Sequence, residues 1–167
     1  MNFPRCRLLL SSLLLFATGM VHAAGIDSFF AAGLETPSGQ AVALDSFRGK
    51  ALVINFISRT CESCAADTSE LARQRQTNGK LTVVTILVEP DQGNQEAARD
   101  FAKGLGVAHP VLISGNRKGV WLMQNLGNPR GKAPFTVAID KAGALVFSTP
   151  EALTAATAAS VADAALK

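Results

Sequence analysis

Two nearly uninterrupted apolar runs constrain the fold of this chain more than any other feature. They are A-L-V-I-N-F-I at 51–57 and L-T-V-V-T-I-L-V at 81–88. Neither run alternates cleanly between apolar and polar residues, so each predicts a strand that is covered on both faces. Residues 61–76, which lie between them, predict a helix. Strand, helix and strand in this order indicate parallel strands joined by a right-handed crossover.

The rest of the chain continues the alternation, apart from residues 24–39, which show no clear pattern before a turn at 36–39. The predicted elements are an edge strand at 40–44, a helix capped by Asn94 that runs to Leu105, an extended piece at 109–113, a helix at 117–126, a hairpin of strands at 135–140 and 144–148, and a C-terminal helix opened by Thr149-Pro150-Glu151. The predicted fold class is therefore α/β, with a mixed central sheet flanked by helices.

The N-terminal residues predict an export signal. Two arginines precede the apolar stretch 8–17, and V-H-A at 21–23 forms a small-x-small cleavage site. An uncleaved membrane anchor is the alternative, although this stretch is shorter than the roughly 20 residues that a span needs. We expect a cleaved signal peptide at 1–23, one domain at 24–167 and a periplasmic location.

The charge balance gives little information about partners. The chain has 16 Lys and Arg against 13 Asp and Glu, and two of the arginines belong to the predicted signal. The remaining residues are nearly balanced and contain no basic run. We therefore expect no binding to nucleic acid.

Cleavage of the signal would leave Cys61 and Cys64 as the only cysteines and His109 as the only histidine. A structural zinc site of the usual type needs four such ligands, so no metal site is predicted. Cysteines between a strand and a helix lie near the positive end of the helix dipole, which favours a thiolate. A purely structural disulfide is the alternative, but one that closes so short a loop stabilises little. The spacing favours a redox-active pair.

Four segments together resemble a known family. They are G-Q-A-V-A-L-D-S-F-R-G-K-A-L-V-I-N-F, C-E-S-C, the second apolar run at its spacing from the first, and A-P-F-T-V-A-I-D-K-A-G-A-L-V. Over residues 34–165 the chain resembles the thioredoxin superfamily, and within it the exported TlpA/ResA-like thiol–disulfide oxidoreductases. The resemblance implies a thioredoxin-like fold with an N-terminal hairpin extension. The chain departs from the family in having Thr60, where Trp is common, before the first cysteine.

The resemblance also implies roles for the residues around the motif. Cys61 is the predicted nucleophile, which attacks a partner disulfide, and Cys64 resolves the mixed disulfide. Asp67 is a candidate proton relay to and from Cys64. Glu62 and Ser63 occupy the positions that tune redox potential, and the charge of Glu62 should oppose thiolate formation.

Residues far from the motif are expected to complete the site. Pro134 is predicted to form a cis-proline bond beside the cysteines, where the backbone of Ala133 pairs with the substrate peptide. No cofactor beyond the dithiol is expected. The predicted partners are exported proteins with disulfides and a membrane electron donor, and the protein is expected to be a monomer.

Three alternatives to a reductant stay open from the sequence. The same dithiol could oxidise or isomerise disulfides. A metallochaperone could hold Cu(I), which prefers soft thiolate ligands, between Cys61, Cys64 and His109. A binding module that kept the fold and lost the activity is the third, and the presence of both thiols argues against it.

Overall fold

The computed structural model describes residues 20–89 and 93–167, with side chains described from Gly25 onwards. Residues 1–19 of the predicted signal peptide therefore lie outside the described part. The helices are α1 (Met20–Phe30), α2 (Cys64–Thr77), α3 (Gln95–Gly104), α4 (Asn116–Asn125) and α5 (Ala155–Leu166), with a short 3₁₀ helix at Leu44–Phe47. The strands are β1 (Gly33–Glu35), β2 (Ala41–Ala43), β3 (Ala51–Ile57), β4 (Leu81–Glu89), β5 (Val111–Gly115), β6 (Phe135–Ile139) and β7 (Leu145–Thr149).

The seven strands form one mixed sheet in the order β2-β1-β5-β4-β3-β6-β7. The central pairs β3–β4 and β4–β5 are parallel, and the remaining pairs are antiparallel. β1 and β2 form the N-terminal hairpin, which joins the sheet where Glu35 pairs with Ile113. The predicted thioredoxin-like α/β fold with its hairpin extension is confirmed.

The two apolar runs form the centre of this sheet. All seven residues of β3 are buried, and eight of the nine residues of β4 are buried as well. Their burial confirms that both strands are covered on both faces, which explains why neither run alternates. The carboxyl ends of these strands lie at one edge of the sheet, where open α/β sheets usually form their sites.

Helices cover the two faces of the sheet. On one face, α1 and α4 pack over an apolar cluster that includes Phe29, Phe30, Phe56 and Phe135. On the other face, α2 and α5 pack against each other and against the central strands, and α3 packs beside them. Among the described helices, none combines the length and the apolar character that crossing a membrane requires.

Two predictions near the ends of the chain were wrong. The C-terminal helix does not open at Thr149-Pro150-Glu151, because β7 extends to Thr149 and the hydroxyl of that residue accepts from the Glu151 N–H (3.1 Å) in a turn. Thr154 caps the helix instead, accepting from the Thr157 N–H (3.1 Å). Helix α1 was not expected at 24–30, although Ile26, Phe29 and Phe30 have helical spacing and are buried.

Candidate active site

Cys61 and Cys64 form a disulfide just beyond the carboxyl end of β3. Their Cα atoms are 5.5 Å apart, which lies in the usual range for a disulfide. The predicted helix at 61–76 begins later than expected, at Cys64, because residues 58–63 form a turn in which the Cys61 N–H donates to the Ser58 carbonyl (3.3 Å). Cys61 therefore precedes the helix, and the disulfide lies at the N-terminal end of α2, where the helix dipole favours negative charge.

The two sulfur-bearing residues differ in burial. Cys64 is fully buried in an apolar cluster, whereas Cys61 is half-buried and packs against that cluster. A partner protein can therefore reach Cys61 but not Cys64. This difference agrees with a nucleophilic Cys61 and a resolving Cys64.

Asp67 is buried in the first turn of α2 and is held by two hydrogen bonds. The Leu153 N–H, from the segment before α5, donates to its Oδ1 atom (2.9 Å), and the Ser63 hydroxyl donates to its Oδ2 atom (3.3 Å). Burial raises the pKa of Asp67, and the two hydrogen bonds partly oppose that rise. A buried carboxyl with a raised pKa beside two thiols has the properties of a proton donor and acceptor.

Ser63 and Glu62 lie between the cysteines and have different surroundings. The Ser63 Oγ atom is 3.7 Å from the Cys61 Sγ atom, within hydrogen-bond distance for sulfur. Ser63 therefore contacts both Cys61 and Asp67. Glu62 is exposed. Of the two predicted tuning residues, Ser63 is the one whose side chain reaches the reacting sulfur.

Pro134 lies at the same edge of the sheet as the disulfide. The Ala133–Pro134 peptide bond is cis. Phe135, which follows it, pairs with Phe56 on β3, and Cys61 and Ala133 both pack against the apolar cluster that contains Cys64. The fold therefore brings together Cys61 and Pro134, which are far apart in the sequence.

The loop before Pro134 is shaped by Asn128, a residue that the sequence did not single out. Its buried side chain donates to the Lys132 carbonyl (2.9 Å) and accepts from the Arg130 N–H (3.2 Å). Gly131 has a φ of +57°, and a Cβ atom there would lie 2.6 Å from the Val120 Cγ1 atom. Only glycine can adopt this positive φ and also avoid the contact with Val120 without strain. The sequence N-P-R-G at 128–131 is typical of a turn, and this loop could have been predicted from it.

A groove of about 690 Å³ separates this loop from the segment before Cys61. Thr60 lies on one side, Lys132 and Ala133 lie on the other, and Val88 and Met123 supply apolar surface. The groove thus lies between the residue that precedes Cys61 and the residue that precedes Pro134.

Arg59 forms an ion pair that the sequence did not predict. Its Nε atom lies 2.8 Å from both carboxylate oxygens of Glu89, and its second terminal nitrogen lies 2.7 Å from Oε2. Glu89 ends β4 and its side chain is only 2% exposed, so the pair provides a buried carboxylate with its counter-charge. The charge of Arg59, which could otherwise favour a thiolate at Cys61, is compensated by Glu89.

His109 is buried away from this edge of the sheet. Its Nε2 atom is 2.9 Å from the Thr85 hydroxyl, in the middle of β4, and its Nδ1 atom has no hydrogen-bond partner among the described residues. Burial and, to a smaller extent, the charge of Arg75 lower the pKa of His109 to about 4. Its position next to Thr85 fits a core histidine rather than a third ligand beside Cys61.

His109 should make the stability of the fold depend on pH. Its folded pKa of about 4 lies below the ordinary value of about 6.5, so the unfolded chain binds more protons between these pH values. The free energy of unfolding should therefore fall as pH drops from about 6.5 to 4. Urea denaturation at several pH values should show this fall in the native sequence and a much weaker one in His109→Gln.

The neighbouring Arg75 provides the control for this measurement. Arg75→Gln removes only the smaller, Coulombic influence on His109, so its pH dependence should stay close to that of the native sequence. Asp67 contributes in the opposite direction, because a raised pKa favours the fold as pH falls. Equal slopes for the native sequence and His109→Gln would contradict the assignment.

Comparison with known proteins agrees with this geometry. The chain is 26% identical over 113 residues to the thioredoxin-like protein YneN of Bacillus subtilis, and this alignment covers 67% of the chain and 63% of YneN. The chain thus spans less than two thirds of that relative.

Solved structures with the same fold include one protein described as secreted and one described as exposed. A secreted Mycobacterium tuberculosis disulfide oxidoreductase, described as homologous to Escherichia coli DsbE, superposes with a TM-score of 0.67 at 20% identity, over 83% of this chain and 98% of that one. The exposed lipoprotein thioredoxin Etrx1 of Streptococcus pneumoniae superposes with a TM-score of 0.63 at 24% identity, over 79% of this chain and 97% of that one. These likenesses show a shared fold.

The family assignment rests on most of the chain. The profile of the Redoxin family matches residues 26–166, which include every strand, the disulfide and the cis-proline loop. The chain therefore belongs to the Redoxin family, and the matched residues include the Cys61–Cys64 disulfide.

Proposed function

We propose that the protein is an exported thiol–disulfide oxidoreductase that reduces disulfides in other exported proteins. The observation that carries this proposal is the unequal burial of the pair, in which Cys61 is half-buried and Cys64 is fully buried. Thr60, the residue before Cys61, lines the groove. A partner peptide bound in the groove would present its disulfide to Cys61, while Cys64 would stay out of its reach.

The proposed reaction proceeds through a mixed disulfide. The Cys61 thiolate attacks one sulfur of the partner disulfide, and the other partner sulfur leaves with the electron pair as a thiolate. Cys64 then attacks the Cys61 sulfur, which forms the internal disulfide and releases the second partner sulfur. Two electrons pass to the partner, so the chain needs no cofactor beyond its dithiol.

We assign substrate binding to the two sides of the groove. The backbone at Ala133 and Pro134 would pair with an extended substrate peptide, while Val88 and Met123 would contact its side chains. Glu62 would influence the redox potential from its exposed position beside Cys61. The protein would act as a monomer that presents this one groove.

Its place in the cell follows from the N-terminal segment. An export signal at 1–23 would deliver the domain to the periplasm, and two structures of the same fold are described as secreted and as exposed. A reductant there needs electrons from a membrane donor, because the surroundings are oxidising. Apocytochromes c and the cysteines of copper sites are the substrates that we propose.

The direction of electron flow can be measured in cells. Acid quenching followed by alkylation of free thiols should find Cys61 and Cys64 mostly reduced. Loss of the membrane donor should shift the pair to the disulfide. A pair that is mostly oxidised in unperturbed cells would overturn the proposed direction and favour a disulfide oxidase.

A further inference from the structure

We propose that the Ser63 hydroxyl carries a proton between the Cys61 sulfur and the Asp67 carboxylate, which makes Ser63 a catalytic residue of the reaction proposed above. This inference deepens the proposed function and depends on it for its purpose. The chemistry of the proton path itself requires only that Cys61 be reduced. It can therefore be tested with a small reagent instead of a protein substrate.

Two successive contacts connect Cys61, Ser63 and Asp67. The Cys61 Sγ atom is 3.7 Å from the Ser63 Oγ atom, and the Ser63 Oγ atom is 3.3 Å from the Asp67 Oδ2 atom. Because Ser63 donates its proton to Asp67, its oxygen is free to accept one from a Cys61 thiol. The hydroxyl therefore has the correct polarity to connect the two groups.

The far end of the path is fixed in place. The Asp67 Oδ1 atom accepts from the Leu153 N–H (2.9 Å), so this amide holds one oxygen while the other faces Ser63. Asp67 is 1% exposed, and bulk water has little access to its carboxylate. A proton that reaches or leaves Oδ2 therefore has Ser63 as its nearest protein partner.

The other titratable groups around α2 do not influence the pKa of Asp67. The influences on the pKa of Asp67 are burial, the Leu153 amide and the Ser63 hydroxyl, and no charged neighbour is among them. Around α2, Glu62, Glu151 and Asp163 are exposed, Glu70 pairs with Arg73, and Glu89 pairs with Arg59. His109 is bonded to Thr85, and the half-buried Arg75 acts on His109.

The proton steps balance with the electron steps. When the dithiol is reduced, the Cys61 S–H bond breaks as its proton moves to Ser63, and the original Ser63 proton moves to Asp67. The resulting thiolate attacks the partner disulfide, and the first departing sulfur takes a proton from solvent.

The second half of the reaction returns the relayed proton. Cys64 releases its proton to solvent and attacks Cys61, and the second partner sulfur departs from the Cys61 Sγ atom, beside Ser63. Asp67 then returns its proton through Ser63 to that sulfur. The dithiol has lost two electrons and two protons, and the partner has gained both.

The test is the pH dependence of Cys61 alkylation by iodoacetamide in the reduced full-length chain. The native sequence should show two ionisations, one for the thiol and one for Asp67. Ser63→Ala should reduce the rate below neutral pH by about tenfold or more and should abolish the Asp67 ionisation from the profile. Asp67→Asn should give the same profile, and the double variant should be no slower.

Two further variants separate a proton path from a structural role. Ser63→Thr keeps a hydroxyl and should restore most of the rate, whereas Ser69→Ala, which removes an exposed α2 hydroxyl bonded to the Ala65 carbonyl, should change nothing. If Ser63 only stabilised the Asp67 carboxylate, Ser63→Ala would shift the second ionisation without removing it, and that result would overturn the proposal. Additive losses from Ser63→Ala and Asp67→Asn would overturn it as well.

Failure of this proposal can be distinguished from failure of the proposed function. Alkylation by iodoacetamide needs no protein partner and no membrane donor. A profile in which Ser63→Ala matches Asp67→Asn would support the proton path even if the pair proved to be oxidised in cells. A native profile with one ionisation would refute the path and leave the reductant proposal intact.

Discussion

Cys61→Ser is expected to abolish disulfide exchange, while Cys64→Ser is expected to trap the protein on its partner. A serine hydroxyl is not ionised near neutral pH and cannot replace the thiolate, so the rate should fall by at least about a thousandfold. Cys64→Ser keeps the accessible thiol of Cys61 and removes the buried thiol. The two variants should therefore fail at different steps.

The measurement for this pair is the reduction of insulin by dithiothreitol-recharged protein, followed by non-reducing electrophoresis. Cys64→Ser should accumulate a mixed disulfide that is absent from Cys61→Ser. Ala66→Ser, which places a serine at an exposed α2 position, serves as the matched control and should retain full activity. Equal trapping by both single variants would contradict the assigned order of attack, because it would mean that a partner also reaches Cys64.

The central strands could be predicted from the sequence because their burial has a strong local signal. A run of apolar residues on both faces can satisfy its backbone hydrogen bonds only inside a covered sheet. The run 51–57 gave the bounds of β3, and the run 81–88 gave those of β4 to within one residue. The C-x-x-C pair followed the first of these strands, so its place at the sheet edge could also be predicted.

Contacts between distant residues left no comparable signal. The Leu153 N–H that holds Asp67 is 86 residues away from it, and the Glu89 carboxylate that binds Arg59 is 30 residues away. Such pairs depend on which chain segments the fold brings together, and a single sequence does not show this. The true cap of α5 was missed for a related reason. Thr149 is the last residue of β7 and its hydroxyl accepts a hydrogen bond within the following turn, so the helix begins later.

Asn55→Ala is expected to cost the fold about 2–4 kcal/mol, a large share of the 5–15 kcal/mol that stabilises a typical domain. Asn55 is the one polar residue in β3 and is fully buried. It accepts from the Thr136 hydroxyl (3.2 Å) and donates to the Thr68 hydroxyl (3.2 Å), which in turn donates to the Cys64 carbonyl (2.8 Å). Alanine would leave the Thr136 donor unsatisfied and open a cavity.

Urea denaturation with a matched exposed variant measures this loss. Gln76→Ala lies on the exposed side of α2 and should change the free energy of unfolding by less than about 0.5 kcal/mol. A loss of the same small size in Asn55→Ala would show that the hydrogen bonds of Asn55 add nothing net to the fold.

A triple variant distinguishes the unsatisfied hydrogen bonds from the lost volume. Asn55→Leu alone should be destabilising, because it leaves the Thr136 hydroxyl without its acceptor and Thr68 without its donor. Adding Thr136→Val and Thr68→Val removes those polar groups and should recover most of the stability, since apolar replacement of both partners is nearly neutral. If Asn55→Leu proves as unstable with the two valines as without them, packing rather than hydrogen bonding determines the residue at this position. Recovery in the triple variant would instead show that Asn55 is required because it accepts from the Thr136 hydroxyl and donates to the Thr68 hydroxyl.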